Sequence, residues 1–257
     1  MARWDPEQYA RYADERSRPF RELVARVGAA EPRHVVDLGC GSGELTASLL
    51  DRWPSARVVG VDSSAEMVAA AATHAVDGRL SFVQADAAAW RPDQPVDVVV
   101  SNALLQWVPD HLDLLTTIAG WLAPQGWLAF QVPDNFDAPS HTLLRDLRSS
   151  PRWRDRLGAG ADRGAAVERP ERYLRALQAA GLEVDVWQTT YLHVLVGEDP
   201  VLEWVKGTAL RPVLSVLDQD EQRQFLGEYG AQLRAAYPGT ENGTVFPFRR
   251  TFAVGHL

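Results

Sequence analysis

Val35-Val36-Asp37-Leu38-Gly39-Cys40-Gly41-Ser42-Gly43 decides how this chain is read. An apolar run ends in an acid, glycine then takes every second position, and Glu44-Leu45-Thr46 opens a helical pattern. The stretch predicts a strand, a tight turn and a helix start. Glycine lets the backbone bend and leaves no Cβ to hold a ligand away from it. Counted from Gly39 and Gly41, a dinucleotide fingerprint needs its third glycine where this chain has Glu44, so that reading is disfavoured. A glycine-rich turn without function is the alternative that the rest of the sequence must argue against.

At 257 residues the chain can bury a substantial core, and a single domain over residues 1–257 with an elaboration is expected. No run approaches the ~20 apolar residues of a membrane span. Met1-Ala2-Arg3-Trp4-Asp5-Pro6-Glu7 lacks the apolar stretch of a signal peptide. The single cysteine, Cys40, excludes an internal disulfide framework and a cysteine-based zinc site. Its place inside the glycine turn suits a small filler better than a nucleophile. The expectation is a cytoplasmic protein with no membrane and no metal partner. A net charge of −8 without a Lys/Arg-rich block argues against a nucleic-acid partner. Lys206 is the only lysine among the 26 basic residues, a skew that codon bias largely accounts for. Any anionic substrate would still be held mainly by guanidinium groups, which suit bidentate carboxylate contacts.

After a helix over Pro6–Val27, strands at Arg33–Leu38, Arg57–Val61, Leu80–Val83, Val96–Val100 and Trp127–Val132 alternate with helices at Gly43–Asp51, Ala65–Thr73 and His111–Leu122. Short, nearly all-apolar strands between helices imply a parallel sheet covered on both faces. Beyond Val132 the pattern loosens, with helical pieces at His141–Ser149, Pro151–Leu157 and Glu171–Ala180. A long alternating strand over Glu183–Val196, helices at Asp199–Gly207 and Asp218–Ala236, and a strand near Phe248–Val254 complete the chain.

Gly-x-Gly-x-Gly after Asp37 resembles the S-adenosylmethionine loop of class I methyltransferases. The resemblance implies a Rossmann-like, doubly wound α/β sheet of seven strands whose last strand is antiparallel. The sixth strand then ends, and the seventh begins, at the carboxyl edge where open α/β sheets bind ligands. Roughly fifty residues, Gly197 to Thr244, lie between those strands, so a helical lid is expected there, with a second lid element over 133–170. Asp37, Gly39, Cys40 and Gly41 form the cofactor turn. Asp62-Ser63 ends the second strand nineteen residues after Gly43, where a carboxylate accepts ribose hydroxyls. Asp86-Ala87 follows the third strand and suits the adenine amino group. Met67 suits packing on adenine, and core packing serves it equally well. Ser101-Asn102 ends the fourth strand, where backbone carbonyls could hold the methionine ammonium. Leu104-Leu105-Gln106-Trp107 should border cofactor and substrate. A lone acid at a strand end is usually a turn or cap residue, but three together with the glycine turn are hard to ascribe to coincidence.

The resemblance narrows further. Trp4-Asp5-Pro6-Glu7-Gln8-Tyr9 with Tyr12 and Ala13 to Pro19, then Ser101 to His111, Trp204 to Pro212, and Phe246-Pro247-Phe248-Arg249-Arg250-Thr251-Phe252 resemble the trans-aconitate 2-methyltransferase family. The likeness spans essentially the whole chain; Gln125, standing where a glycine is usual, is a minor departure. It implies methyl transfer from S-adenosylmethionine to one carboxylate of trans-aconitate, giving a monomethyl ester and S-adenosylhomocysteine. A carboxylate of pKa ~4 is ionised at neutral pH, so no general base and no catalytic side chain is expected, only positioning. A small anionic tricarboxylate needs cations: Arg211 in the lid, and Arg249 and Arg250 near the start of the last strand, because Pro247 discourages pairing before it. Alternation along a strand sends those two to opposite sides, so one reaches the ligand and the other serves as an ion-pair partner. His141, Tyr12, Arg16 and Tyr229 are weaker candidates, for which packing or a surface role serves as well. Competing readings are a methyltransferase for another small acid or a hydroxylated metabolite, a nicotinamide dehydrogenase, and a non-catalytic S-adenosylmethionine-binding scaffold.

Overall fold

The computed structural model describes residues 13–157, 167–207 and 209–257, with side chains from Ser17 onward. Its packing divides into two compact units. Among the described residues, the sheet unit comprises 16–133, 167–189 and 250–257; the helical unit comprises 13–15, 134–157, 190–207 and 209–249.

In the sheet unit, β1 (His34–Leu38), β2 (Arg57–Asp62), β3 (Leu80–Gln84), β4 (Val96–Asn102) and β5 (Leu122–Pro133) run parallel in the order β3-β2-β1-β4-β5. β8 (Gly243–His256) is antiparallel to β5, and β6 (Glu183–Leu195) lies beyond it. β1 and β4 are almost wholly buried because helices cover the sheet, and their Val-rich sequences fit that environment. The connecting helices include α1 (Ala13–Ala25), α2 (Glu44–Arg52), α3 (Ala65–Ala71), α4 (His111–Ala119) and, from later in the chain, α7 (Pro170–Ala179). Val36, Leu38, Val99, Leu115, Phe130 and Tyr173 belong to one apolar core, each fully buried residue contributing about 1.5–3 kcal/mol. Inside it, His111 Nδ1 donates to Val108 O, His111 Nε2 and the Tyr173 hydroxyl are hydrogen-bonded at 2.9 Å, and that hydroxyl also accepts the Glu168 N–H. Burial pushes the His111 pKa down, which favours the neutral imidazole.

The helical unit has its own core, built from α5 (Pro139–Ser149), α6 (Arg154–Leu157), α8 (Pro200–Lys206), α9 (Arg211–Leu214) and α10 (Gln219–Ala236) around Trp204, Phe225, Leu233 and Phe246. α10 starts in a capping box, with Asp218 accepting the Glu221 N–H and Glu221 accepting the Asp218 N–H.

Three boundaries differ from expectation. Among the described residues a two-residue β7 (Gly239–Thr240) pairs with the start of β8, adding a short strand off the seven-strand path β3-β2-β1-β4-β5-β8-β6. That hairpin carries β8 back to Gly243, so Pro247 lies inside the strand rather than before it. β5 likewise starts at Leu122 rather than at the expected Trp127, with Leu122 pairing with Val96 across a register shift. Residues 1–12 of the expected first helix lie outside the described residues.

Candidate active site

The parallel strands share their carboxyl ends, and β1 delivers Gly39-Cys40-Gly41 there. The Gly39 and Cys40 N–H groups both donate to Val61 O, folding the turn onto the end of β2. Asp62 completes it: Oδ2 accepts the Gly41 N–H and Oδ1 the Ser64 N–H, each at 2.9 Å. The three turn glycines have φ of 79°, 54° and 82°, in the left-handed region that glycine enters at least cost. Their surroundings differ. A Cβ on Gly39 would lie 2.7 Å from Leu104 Cβ, and one on Gly43 2.8 Å from Ala71 Cβ. At Gly41 it would meet nothing within 4 Å. Open space beside the backbone therefore exists at Gly41 alone; at Gly39 and Gly43 conformation and packing against protein demand glycine.

Asp37 is buried, with Oδ2 accepting the Thr46 hydroxyl at 2.6 Å and Oδ1 enclosed without a hydrogen bond. Burial raises its pKa to about 7, opposed by the Thr46 bond and assisted by the charge of Asp62. Gln106 repeats the pattern: Nε2 donates to Ala103 O at 2.6 Å, and Oε1 is enclosed without a partner. Both enclosed atoms are acceptors, which fits a bound cation such as a sulfonium or ammonium group. Among the described residues no cluster of His, Cys, Asp and Glu could hold a metal ion, and no helix is long and apolar enough to cross a membrane.

The other expected cofactor residues divide. Ser101 is buried, its hydroxyl donating to Leu38 O, while Asn102 is half-buried and accepts from Gln131 Nε2 at 2.6 Å. Met67 is half-buried in the first turn of α3, its N–H donating to the Ser64 hydroxyl; Ser63 is exposed. Exposed Asp86 accepts the Ala88 N–H with Oδ1, a turn-capping role, and Ala87 is buried in the core. The buried Cys40 thiol is pushed well above its ordinary pKa by desolvation and by Asp37 and Asp62, which removes it as a nucleophile. Leu104 packs on Gly39, but Leu105 is a core residue and Trp107 stands 62% exposed, so the Leu104–Trp107 stretch does not act as one surface.

The structure separates the two arginines. Arg249, in the helical unit, donates to Asp134 O and Asp137 Oδ1, both at 2.7 Å. Arg250, in the sheet unit, is 6% exposed and donates from Nη1 to Gln131 Oε1 at 3.1 Å. Tyr229 is corrected: it is fully buried and its hydroxyl donates to Ser140 O, a structural bond. His141, half-buried beside Phe136, has its pKa lowered to about 4 by burial and by Arg145. Arg211 opens α9, half-buried. Tyr12 and the Arg16 side chain lie outside the described residues. Sequence reading missed Gln131, although one amide within the apolar run Leu128–Val132 signals a buried polar group in need of partners.

This sheet order, with the glycine turn ending β1 and a carboxylate ending β2, defines a class I methyltransferase that takes its methyl group from S-adenosylmethionine. A family model described as a methyltransferase domain matches residues 9–186. The chain is 56% identical over 259 residues to the trans-aconitate 2-methyltransferase of Streptomyces avermitilis, covering 98% of this chain and 96% of that one. It is 47% identical to the enzyme of that name from Mycobacterium tuberculosis, covering 99% and 97%. Haemonchus contortus phosphoethanolamine N-methyltransferase 2, solved with phosphomonomethylethanolamine and S-adenosylhomocysteine, shares the fold at a TM-score of 0.56 and 16% identity, over 92% of this chain and 52% of that one. The chain belongs to the trans-aconitate 2-methyltransferase family.

Proposed function

We propose that this chain esterifies one carboxylate of trans-aconitate, releasing the monomethyl ester and S-adenosylhomocysteine. The observation that carries the reading is 56% identity over nearly the whole of both chains to a trans-aconitate 2-methyltransferase. When bound, S-adenosylmethionine supplies an activated methyl group on a sulfonium. The chain's residues hold and orient. The Gly41 backbone and Asp62 receive the adenosine portion, and the acceptors of Asp37 and Gln106 favour the cationic portion. Asp86 takes the adenine amino group with the oxygen it does not use as a cap.

Arg250 binds a carboxylate that is not methylated. Gln131 accepts from Nη1 and orients the guanidinium. The attacking carboxylate is already ionised, so no base is required. The turn chemistry agrees, since Cys40 holds its proton and His111 is tied to Tyr173 and Val108. Rate enhancement then rests on alignment of oxygen, methyl and sulfur, an effect with a ceiling of about 7–11 kcal/mol. The test is an assay with methyl-labelled S-adenosylmethionine against aconitate isomers, related di- and tricarboxylates and a neutral hydroxylated acceptor. Labelled ester from trans-aconitate in preference to dicarboxylates of similar length supports the reading. Turnover of the neutral acceptor alone overturns it.

A further inference from the structure

Three side chains on adjacent strands of the sheet unit form a line of hydrogen bonds: Arg250 Nη1 to Gln131 Oε1, then Gln131 Nε2 to Asn102 Oδ1. A guanidinium has only donors, so Arg250 meets the oxygen of the Gln131 amide and never its nitrogen. Gln131 must then offer its NH2 to Asn102, and only the oxygen of Asn102 can accept it. One arginine thereby fixes two amides whose oxygen and nitrogen are otherwise interchangeable in shape. Asn102 is left with Nδ2 turned away from the line, making no hydrogen bond among the described residues. The backbone is held by the same residue. Asn102 and Gln131 are register partners, and Ala103, at φ 57°, donates its N–H to Gln131 O at 3.0 Å.

We propose that Gln131 is a positioning residue that sets the polarity of the site, making the Asn102 side chain a donor to a ligand carboxylate. The inference rests on the reading above, because it takes the carboxyl ends of β4 and β5 as part of the ligand site. It adds a side-chain role to the backbone-carbonyl role expected of Asn102. An amide N–H turned outward repels an ammonium group and favours a carboxylate, and both the methionine moiety of the cofactor and the proposed substrate carry one.

Gln131→Glu tests this without touching the ligand. A glutamate still accepts from Arg250 but cannot donate to Asn102, so the Asn102 amide must rotate and present its oxygen outward. Asn102→Asp makes the same inversion directly, while Gln131→Met removes both bonds and leaves Asn102 free to turn. Each variant is to be measured by thermal melting, calorimetric titration with S-adenosylhomocysteine, and KM for S-adenosylmethionine and trans-aconitate. The expected result is that Gln131→Glu and Asn102→Asp weaken the same ligand by about tenfold or more, with Gln131→Met milder and all three folded. Weakened S-adenosylhomocysteine binding assigns the carboxylate to the cofactor. Unchanged binding with a raised KM for trans-aconitate assigns it to the substrate. Asn102→Asp alone decides the matter if Gln131→Glu fails to fold. The proposal is overturned if Asn102→Asp leaves every constant within about twofold, or if only Gln131→Glu has an effect, since Gln131 would then act through Arg250 alone. A wild type that binds S-adenosylhomocysteine but ignores trans-aconitate sinks the substrate reading, while the calorimetric arm still reports the polarity of Asn102.

Discussion

Asp62 holds Gly41: its Oδ2 accepts the Gly41 N–H at 2.9 Å, closing the glycine turn against the end of β2. The same carboxylate that suits a ribose therefore also shapes the turn. Asp62→Ala is expected to weaken S-adenosylhomocysteine binding by about 1–3 kcal/mol and to lower the melting temperature, because the Gly41 and Ser64 N–H groups lose their acceptor. Calorimetry and a melting curve on one preparation check both effects. Unchanged affinity in a destabilised variant would leave Asp62 with only the turn.

Asp37 couples folding and cofactor binding to protons. Its pKa rises from 3.8 to about 7 in the folded chain. The native state therefore holds a proton that the unfolded state has released, and the associated stability is lost as pH rises from about 4 through 7. Asp37→Asn keeps an acceptor for Thr46 without the buried charge. Above pH 7 it should be more stable than wild type by up to about 4 kcal/mol, a gap that closes on acidification. A cationic cofactor pulls the wild-type carboxyl toward ionisation, so binding near pH 6.5 should release protons. Calorimetry in buffers of different ionisation enthalpy measures that release, and its absence would place the positive charge away from Asp37.

His111 and His141 act in the opposite sense. Burial lowers both pKa values, that of His141 to about 4. An unfolded chain titrates its histidines near 6.5 and so binds more protons below that pH. Their contribution is fully present above pH 6.5 and is lost as pH falls toward 4. In the Asp37→Asn background, where the opposing carboxyl is gone, urea midpoints should fall steadily from pH 7 to pH 5. A flat profile would mean that both imidazoles can take a proton without disturbing their partners.

The architecture was legible because strand, turn and helix signals agreed. Val-rich runs separated by amphipathic helices allow few arrangements, and the glycine turn fixed which edge mattered. The site was legible only where a residue acts through its own backbone position. Asp37, Gly41 and Asp62 follow from strand ends. The Arg250–Gln131–Asn102 line depends on β4 and β5 pairing in register and on β8 running antiparallel beside them, which no local pattern encodes. Tyr229 and Arg249 have side chains suited to anion binding, but tertiary packing gave them Ser140 and two aspartates as partners. Pro247 misled because proline removes a donor without forbidding a strand whose early residues pair elsewhere.

Gln125 marks a site of strain away from the chemistry. It is exposed and sits at φ 65°, a conformation that costs a residue with a Cβ roughly 1–2 kcal/mol. A glycine, which the family resemblance leads one to expect there, would adopt this conformation at least cost. Gln125→Gly should stabilise the fold by about 0.5–1 kcal/mol, part of the relief being offset by the greater freedom of glycine in the unfolded chain. Urea denaturation gives the midpoint shift. A loss of stability instead would show that the Gln125 side chain makes contacts worth more than the strain.

The arginine pair makes the strongest demand on the substrate reading. Arg250 is buried and held by Gln131, whereas Arg249 pairs with Asp134 and Asp137 nearer the surface. Removing one partner of a desolvated charge pair costs about 2–5 kcal/mol, whereas exposed ion pairs are worth about 0–1. Arg250→Ala should therefore lose most of kcat/KM on trans-aconitate while still binding S-adenosylhomocysteine. Arg250→Lys should recover little, because an ammonium lacks the planar fork that addresses a carboxylate and Gln131 together. Arg249→Ala should stay within about threefold of wild type, with at most a small drop in stability. Steady-state kinetics on the three variants, with calorimetry as the folding control, decide between the arginines. Full activity of Arg250→Ala on trans-aconitate would move the anion contact elsewhere, with Arg211→Ala as the next variant to measure. A large loss in Arg249→Ala alone would reverse the assignment.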